Sequence, residues 1–158
     1  MDELAGRVVF AATTPSIGRG LWATDGTAAG TVLLFSAAPG SGGAAIGAFR
    51  RALGGLYFVV RTGGIPATIR LWHSDGTPEG TRVVDPDLQL SESEFTFEGA
   101  SVGSRLVFAQ DDSAAETELW VTDGTPAGTG PIPGLDGGVE GVSPRELTAL
   151  DGAVYFSA

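Results

Sequence analysis

Three stretches of this chain spell nearly the same eleven residues: LWATDGTAAGT from Leu21 to Thr31, LWHSDGTPEGT from Leu71 to Thr81, and LWVTDGTPAGT from Leu119 to Thr129. Their tryptophans, Trp22, Trp72 and Trp120, lie 50 and 48 residues apart. A period of that length belongs to a supersecondary unit repeated along the chain rather than to a motif inside one element. A second landmark keeps the same period. Phe10, Phe58, Phe108 and Phe156, in GRVVFAA, GLYFVV, SRLVFAQ and GAVYFSA, are spaced 48, 50 and 48 residues apart. The period thus occurs four times although the tryptophan occurs three times. The chain divides into approximate units 1–43, 44–95 and 96–143, with a partial unit over 144–158.

Each phenylalanine sits in a short β-branched and aromatic run that follows a glycine or a turn, as a strand leaving a tight hairpin should. Asp151-Gly152, between LTAL and AVYFSA, is the strongest of these hairpin signals. A third strand then ends near Leu-Trp, and Asp-Gly-Thr turns the chain into a fourth: Gly30–Phe35, Gly80–Asp85 and Gly128–Pro133. The last of these, with Pro131 and Pro133, is expected to pair poorly at an outer edge. LYFVV and RLVF are apolar at consecutive positions, which suits sheets covered on both faces. Four short antiparallel strands per unit of about 49 residues is the pattern of a β-propeller blade. The expected fold is all-β, a propeller-like array of about three four-stranded blades plus a partial fourth.

Glu118 to Thr129, ELWVTDGTPAGT, resembles the repeat that names the ELWxxDGT repeat proteins, and the likeness runs through essentially the whole chain. The resemblance implies a bacterial, propeller-like repeat protein, exported or at a cell surface, without an established activity. The family's Glu is met only at Glu118, with Gly20 and Arg70 in the other units, whereas its Trp, Asp, Gly and Thr are met three times.

The recurrent residues read as structural. Asp25-Gly26-Thr27, Asp75-Gly76-Thr77 and Asp123-Gly124-Thr125 suit a turn in which Asp accepts from backbone N–H groups one and two residues ahead. Glycine takes a positive φ and Thr caps the returning strand. The turn is similar to the Asp-box turns of other propellers. The three carboxylates fall one per turn on separate units, so neither a metal nor another cofactor is expected. Trp22, Trp72 and Trp120 read as wedges between neighbouring blades rather than sugar platforms. His73, the single histidine, takes the place of Ala23 and Val121 and reads as a solvent-facing strand residue. No G-x-S-x-G context accompanies it.

Charge narrows the partners. The net charge is −10, lysine is absent, and no cluster of the arginines forms a basic stripe, which disfavours nucleic acid and anionic membrane. No window reaches 18 apolar residues, MDELAGRVVF does not read as an export signal, and cysteine is absent. The acidic stretches Leu90–Glu98 and Gln110–Glu118 have no counterpart in other units and fall in loops that share one rim of a propeller. Glu92, Glu94, Asp111, Asp112 and Glu116 are therefore the candidate ligand rim. The expected function is a non-catalytic repeat module for binding or scaffolding. The alternatives are a carbohydrate-binding lectin, or a hydrolase or lyase with a carboxylate site on that rim. Because three and a half blades cannot close a ring, the expected partner is a second copy in a homodimer with exchanged C-terminal segments, each completing the other's first sheet, or the rest of a longer propeller.

Overall fold

Runs of β-branched and aromatic residues separated by glycine turns favour hairpins between consecutive strands, because each strand finds its partner before any distant one can compete. The computed structural model describes residues 2–38, 43–52, 54–63, 66–90, 98–111, 117–133 and 144–157. Its strands pair in sequence order. The first sheet is β1 (Asp2–Leu4), β2 (Arg7–Thr14), β3 (Gly18–Thr24) and β4 (Val32–Ala38). The second is β5 (Ala45–Ala52), β6 (Gly55–Thr62), β7 (Thr68–Ser74) and β8 (Arg82–Val83). The third is β9 (Gly99–Val102), β10 (Arg105–Asp111), β11 (Thr117–Thr122) and β12 (Gly130–Pro131). A hairpin of β13 (Arg145–Leu150) and β14 (Ala153–Ser157) begins a fourth. The chain is all-β, a propeller-like array of four antiparallel sheets.

Register repeats with the sequence. Phe10 pairs with Trp22, Phe58 with Trp72 and Phe108 with Trp120 across the two central strands of their sheets. These strands run two residues past the tryptophan, to Thr24, Ser74 and Thr122, further than the sequence alone indicates. The fourth strand varies most. It spans seven residues in β4 but two in β8 and β12. β12 is an edge strand, as Pro131 requires, and pairing continues just beyond each short strand. The Val84 N–H donates to the Leu71 carbonyl and the Ile132 N–H to the Leu119 carbonyl, both at 2.9 Å.

Period-two alternation on a strand sends successive side chains to opposite faces, and β6 shows what that means when both faces are apolar. Leu56, Phe58 and Val60 enter one core with Leu4, Val9, Leu21, Ala23 and Leu34 of the first sheet. Tyr57 and Val59 enter a second core with Leu106 and Phe108 of the third sheet. Residues 55–60 are all buried. Leu88 and Leu90, beyond β8, join that second core, and the Leu90 N–H bonds the Ile69 carbonyl at 2.9 Å. Leu90, read from sequence as part of an acidic loop, is thus a core residue: the Leu-Gln-Leu alternation of 88–90 continues the pairing with β7.

The innermost strands β5, β9 and β13 neighbour one another. Polar links between the sheets include Ser101 Oγ donating to the Arg51 carbonyl, Gln110 Nε2 donating to the Gln89 carbonyl at 3.3 Å, and the Glu146 N–H donating to Glu98 Oε2 at 2.9 Å. The Glu98–Glu146 link ends on a bulge of β13 where Glu146 has φ 58°, repeating the bulge of β5 where Ala48 has φ 53°. Asp151 and Gly152, at φ 51° and 79°, form the tight hairpin expected of that pair. The first sheet has all four of its strands.

Phe58 is fully buried between two sheets and paired with Trp72. Phe58→Ala is expected to cost about 3–5 kcal/mol in urea unfolding, and a loss below about 1 kcal/mol would contradict the two-sheet core.

Candidate functional site

Antiparallel order places the β1–β2 type turns and the Asp-Gly-Thr turns at one end of the array. The loops between second and third strands and between sheets lie at the other. The recurrent motif turns therefore lie at the end opposite the paired strand ends Asp111 and Thr117.

The motif is a closed hydrogen-bonded turn of eight residues, [Thr/Ser]-Asp-Gly-Thr-x-x-Gly-Thr, formed three times with nearly the same distances. In the first, Asp25 Oδ1 accepts from the Thr27 N–H at 2.9 Å and the Thr27 hydroxyl at 2.7 Å. The Thr27 hydroxyl in turn accepts from the Gly30 N–H at 2.9 Å. The Thr31 hydroxyl donates to the Thr27 carbonyl at 2.6 Å and lies 2.7 Å from the Thr24 hydroxyl. Since the Thr31 proton is already committed, Thr24 is the donor in that pair, and Thr24 Oγ1 accepts from the Gly26 N–H at 3.0 Å. Each hydroxyl donates once and accepts once.

Ser74, Asp75, Thr77, Gly80 and Thr81 repeat the arrangement. So do Thr122, Asp123, Thr125, Gly128 and Thr129. One detail departs from the sequence expectation. Asp accepts only from the residue two ahead, while the N–H one ahead goes to the Thr or Ser preceding it. Gly26, Gly76 and Gly124 do take positive φ, 93°, 92° and 91°. The second glycine went without a role in the sequence reading, and its reason is steric. A Cβ on Gly30, Gly80 or Gly128 would lie only 2.0 to 2.2 Å from the nearest atom of the motif carboxylate. The signal was present in all three copies as the Gly before the last Thr.

Hydrogen bonding to the ionised form holds Asp25, Asp75 and Asp123 below their ordinary 3.8, with the Thr hydroxyl the leading cause in each. The carboxylates face solvent, yet the Oδ1 atom of each is occupied within its own turn.

The tryptophans are wedges where a sheet precedes them. The Trp72 ring lies 4.0 Å from that of Phe35 in the first sheet and 6.3 Å from Phe58. Trp120 packs against the core between the second and third sheets, 6.4 Å from Phe108. Trp22 occupies the same register on the leading face of the first sheet.

His73 corrects the sequence expectation. It is half-buried, edge-on to Tyr57 at 5.0 Å, beneath the Gly124 turn of the following sheet. Burial, reinforced by Arg82, lowers its pKa, and burial together with Asp123 pushes the Tyr57 phenol up to about 12. Comparison with Ala23 and Val121 could not reveal this, because the contact comes from another sheet.

Of the candidate acidic rim, Glu92, Glu94, Asp112 and Glu116 lie outside the described residues, and Asp111 is placed only as the last residue of β10. At the opposite end, Leu4, Ala5, Arg51, Ala52, Gly54, Gly55, Asp75 and Ser101 line an open cavity of about 530 Å³ where the inner hairpins of three sheets converge. Its polar groups are partly spent: Asp75 Oδ1 serves the turn and the Ser101 hydroxyl donates to Arg51. Among the described residues, no three His, Asp or Glu side chains gather as a metal site would require, and no helix is long and apolar enough to cross a membrane. Comparison with known proteins finds no matching family model, no similar curated protein and no similar solved structure.

Two outcomes test the turn. Asp75→Ala is expected to cost about 1–2 kcal/mol, as for other side-chain caps of backbone donors. Gly80→Ala must eject the same carboxylate, so the double variant should cost little more than the costlier single change. Full additivity in thermal melts would refute the shared network.

The lowered pKa values of Asp25, Asp75 and Asp123 mean that their contribution is complete above pH 3.8 and is lost as pH falls through the lower folded values. Melting temperature is expected to decline below that point. Replacing all three by Asn should flatten the decline, and an unchanged acid limb would show that other carboxylates govern it.

Proposed function

We propose that this chain is a non-catalytic propeller-type repeat module for binding or scaffolding. The observation that carries the reading is how the recurrent residues are employed. In every unit the Asp, Gly and Thr of the motif are consumed by hydrogen bonds within one turn. Where a preceding sheet exists, the tryptophan is consumed by packing against it. Residues that recur because the fold needs them leave function to the segments that differ between units. The resemblance of ELWVTDGTPAGT to the ELWxxDGT repeats points the same way, and with it toward an exported or cell-surface setting.

On this reading the partners are proteins, either further blades of the same kind or a second copy. The net charge of −10 and the dispersed arginines disfavour nucleic acid and anionic membrane. A ligand rim at Glu92, Glu94, Asp111, Asp112 and Glu116 belongs to the same proposal, as the one strongly acidic feature that does not repeat.

A panel of esterase, phosphatase and glycosidase substrates is expected to show no turnover. Turnover abolished by Asp111→Asn would replace this reading with the hydrolase one, and saturable binding on a glycan array would replace it with the lectin one.

A further inference from the structure

The two interfaces between the four-stranded sheets share one design. On one side, the later sheet offers an apolar leading face and its Asp-Gly-Thr turn. Leu56 and Phe58 form such a face with Trp72 against the first sheet, and Leu106 and Phe108 with Trp120 against the second. Leu56, Phe58, Leu106 and Phe108 are all fully buried. On the other side, the earlier sheet offers residues of its inner hairpin to that turn. A Cβ on Gly76 would lie 3.4 Å from Leu4, and one on Gly124 would lie 3.2 Å from the Tyr57 hydroxyl. Leu4 is 8% exposed and Tyr57 1%.

Among the described residues, each end of the array carries one half of this design with nothing against it. The first sheet repeats the leading face with Val8, Phe10 and Trp22 in the register of Leu56, Phe58 and Trp72. Val8 is 39% exposed, and a Cβ on Gly26 would meet nothing within 4 Å. The terminal hairpin repeats the receiving side. Tyr155 precedes Phe156 as Tyr57 precedes Phe58, and Leu150 precedes the tight turn as Leu4 does. Both are 58% exposed. Val8, Leu150 and Tyr155 are the exposed large hydrophobic residues among the described ones, and all three fall on these two half-interfaces. A periodic array leaves its end faces open in this way because each unit is covered by its neighbours.

We propose that the outward face of β13–β14 docks the first sheet of a second copy of this chain, with the Gly26 turn of one copy over Tyr155 of the other and Val8 and Phe10 against the hairpin. The occupant is a copy because the surface continues an interface already formed twice within the chain. What fits over the Tyr is a glycine turn flanked by a Val, Phe and Trp face, which this chain carries at its opposite end. The contact is head-to-tail and joins faces, and no strand is exchanged. Its two surfaces differ, so it is heterologous and each copy has one of each half. This goes beyond the repeat-module reading, which rests on the turns and would survive its failure.

The test uses the whole chain in size exclusion with light scattering at about 100 µM. The wild type is expected to exceed the 16.0 kDa of one chain. Val8→Asp and Tyr155→Asp alter residues exposed in the single chain, so each is expected to keep its melting temperature and to run as one chain alone. Mixed in equal amounts they should recover a species of twice that mass, since one supplies an intact tail and the other an intact head. A wild type that stays at 16.0 kDa, association that persists in either variant, or a mixture that stays monomeric would each overturn the proposal.

Discussion

Each central strand of these sheets carries apolar side chains on both faces, and one neighbour can cover only one of them. β6 states the requirement most fully, with residues 55–60 buried by the first sheet on one side and the third on the other. At roughly 25 cal/mol per Å² of apolar surface removed from water, two-sided burial of Phe58, Leu71 and their neighbours is the principal gain available to a chain without cysteines. The same requirement dictates that sheets stack in series. A sheet with one solvated face could stop after pairing with one other, whereas this one needs a neighbour on each side.

Stacking in series then constrains the turns. The Gly76 and Gly124 turns are pressed against the preceding sheet and their glycines are buried, as are Ser74 and Thr122. A turn placed there would leave backbone and hydroxyl groups without water, a cost of about 1–3 kcal/mol for each unmade bond. The eight-residue motif meets this by internal accounting of donors and acceptors. Its hydroxyls are chained, its two glycine N–H groups are bound by hydroxyls, and the carboxylate is held by a threonine. The glycine before the last threonine exists because the carboxylate fills the space of its Cβ. In the Gly76 and Gly124 turns the motif thus satisfies the groups that burial removes from water, and the Gly26 turn repeats the same bonds in an exposed setting.

The array has a direction as a consequence. Turns reach back over the preceding sheet, so a sheet is covered on its leading face by what comes before it and along its inner hairpin by what comes after. Glu98 accepting from the Glu146 N–H follows the same order, an earlier unit fastening a later one. Burial disfavours the charged forms of Tyr57 and His73, and the Gly124 turn of the third sheet lies against both.

By itself the sequence determined the repeat, the all-β class, the four strands of each blade and the place of Asp-Gly-Thr between the third and fourth, since these rest on local turn chemistry and a period visible in Trp22, Trp72 and Trp120. It also identified apolar runs needing cover on both faces. Only the tertiary structure decided how that cover is supplied. It shortened β8 to two residues while keeping the Val84 rung, drew Leu88 and Leu90 into the core, and laid the Gly124 turn over His73. The Gly124 turn reaches His73 across about 50 residues of sequence, a distance over which neither propensity nor periodicity carries information.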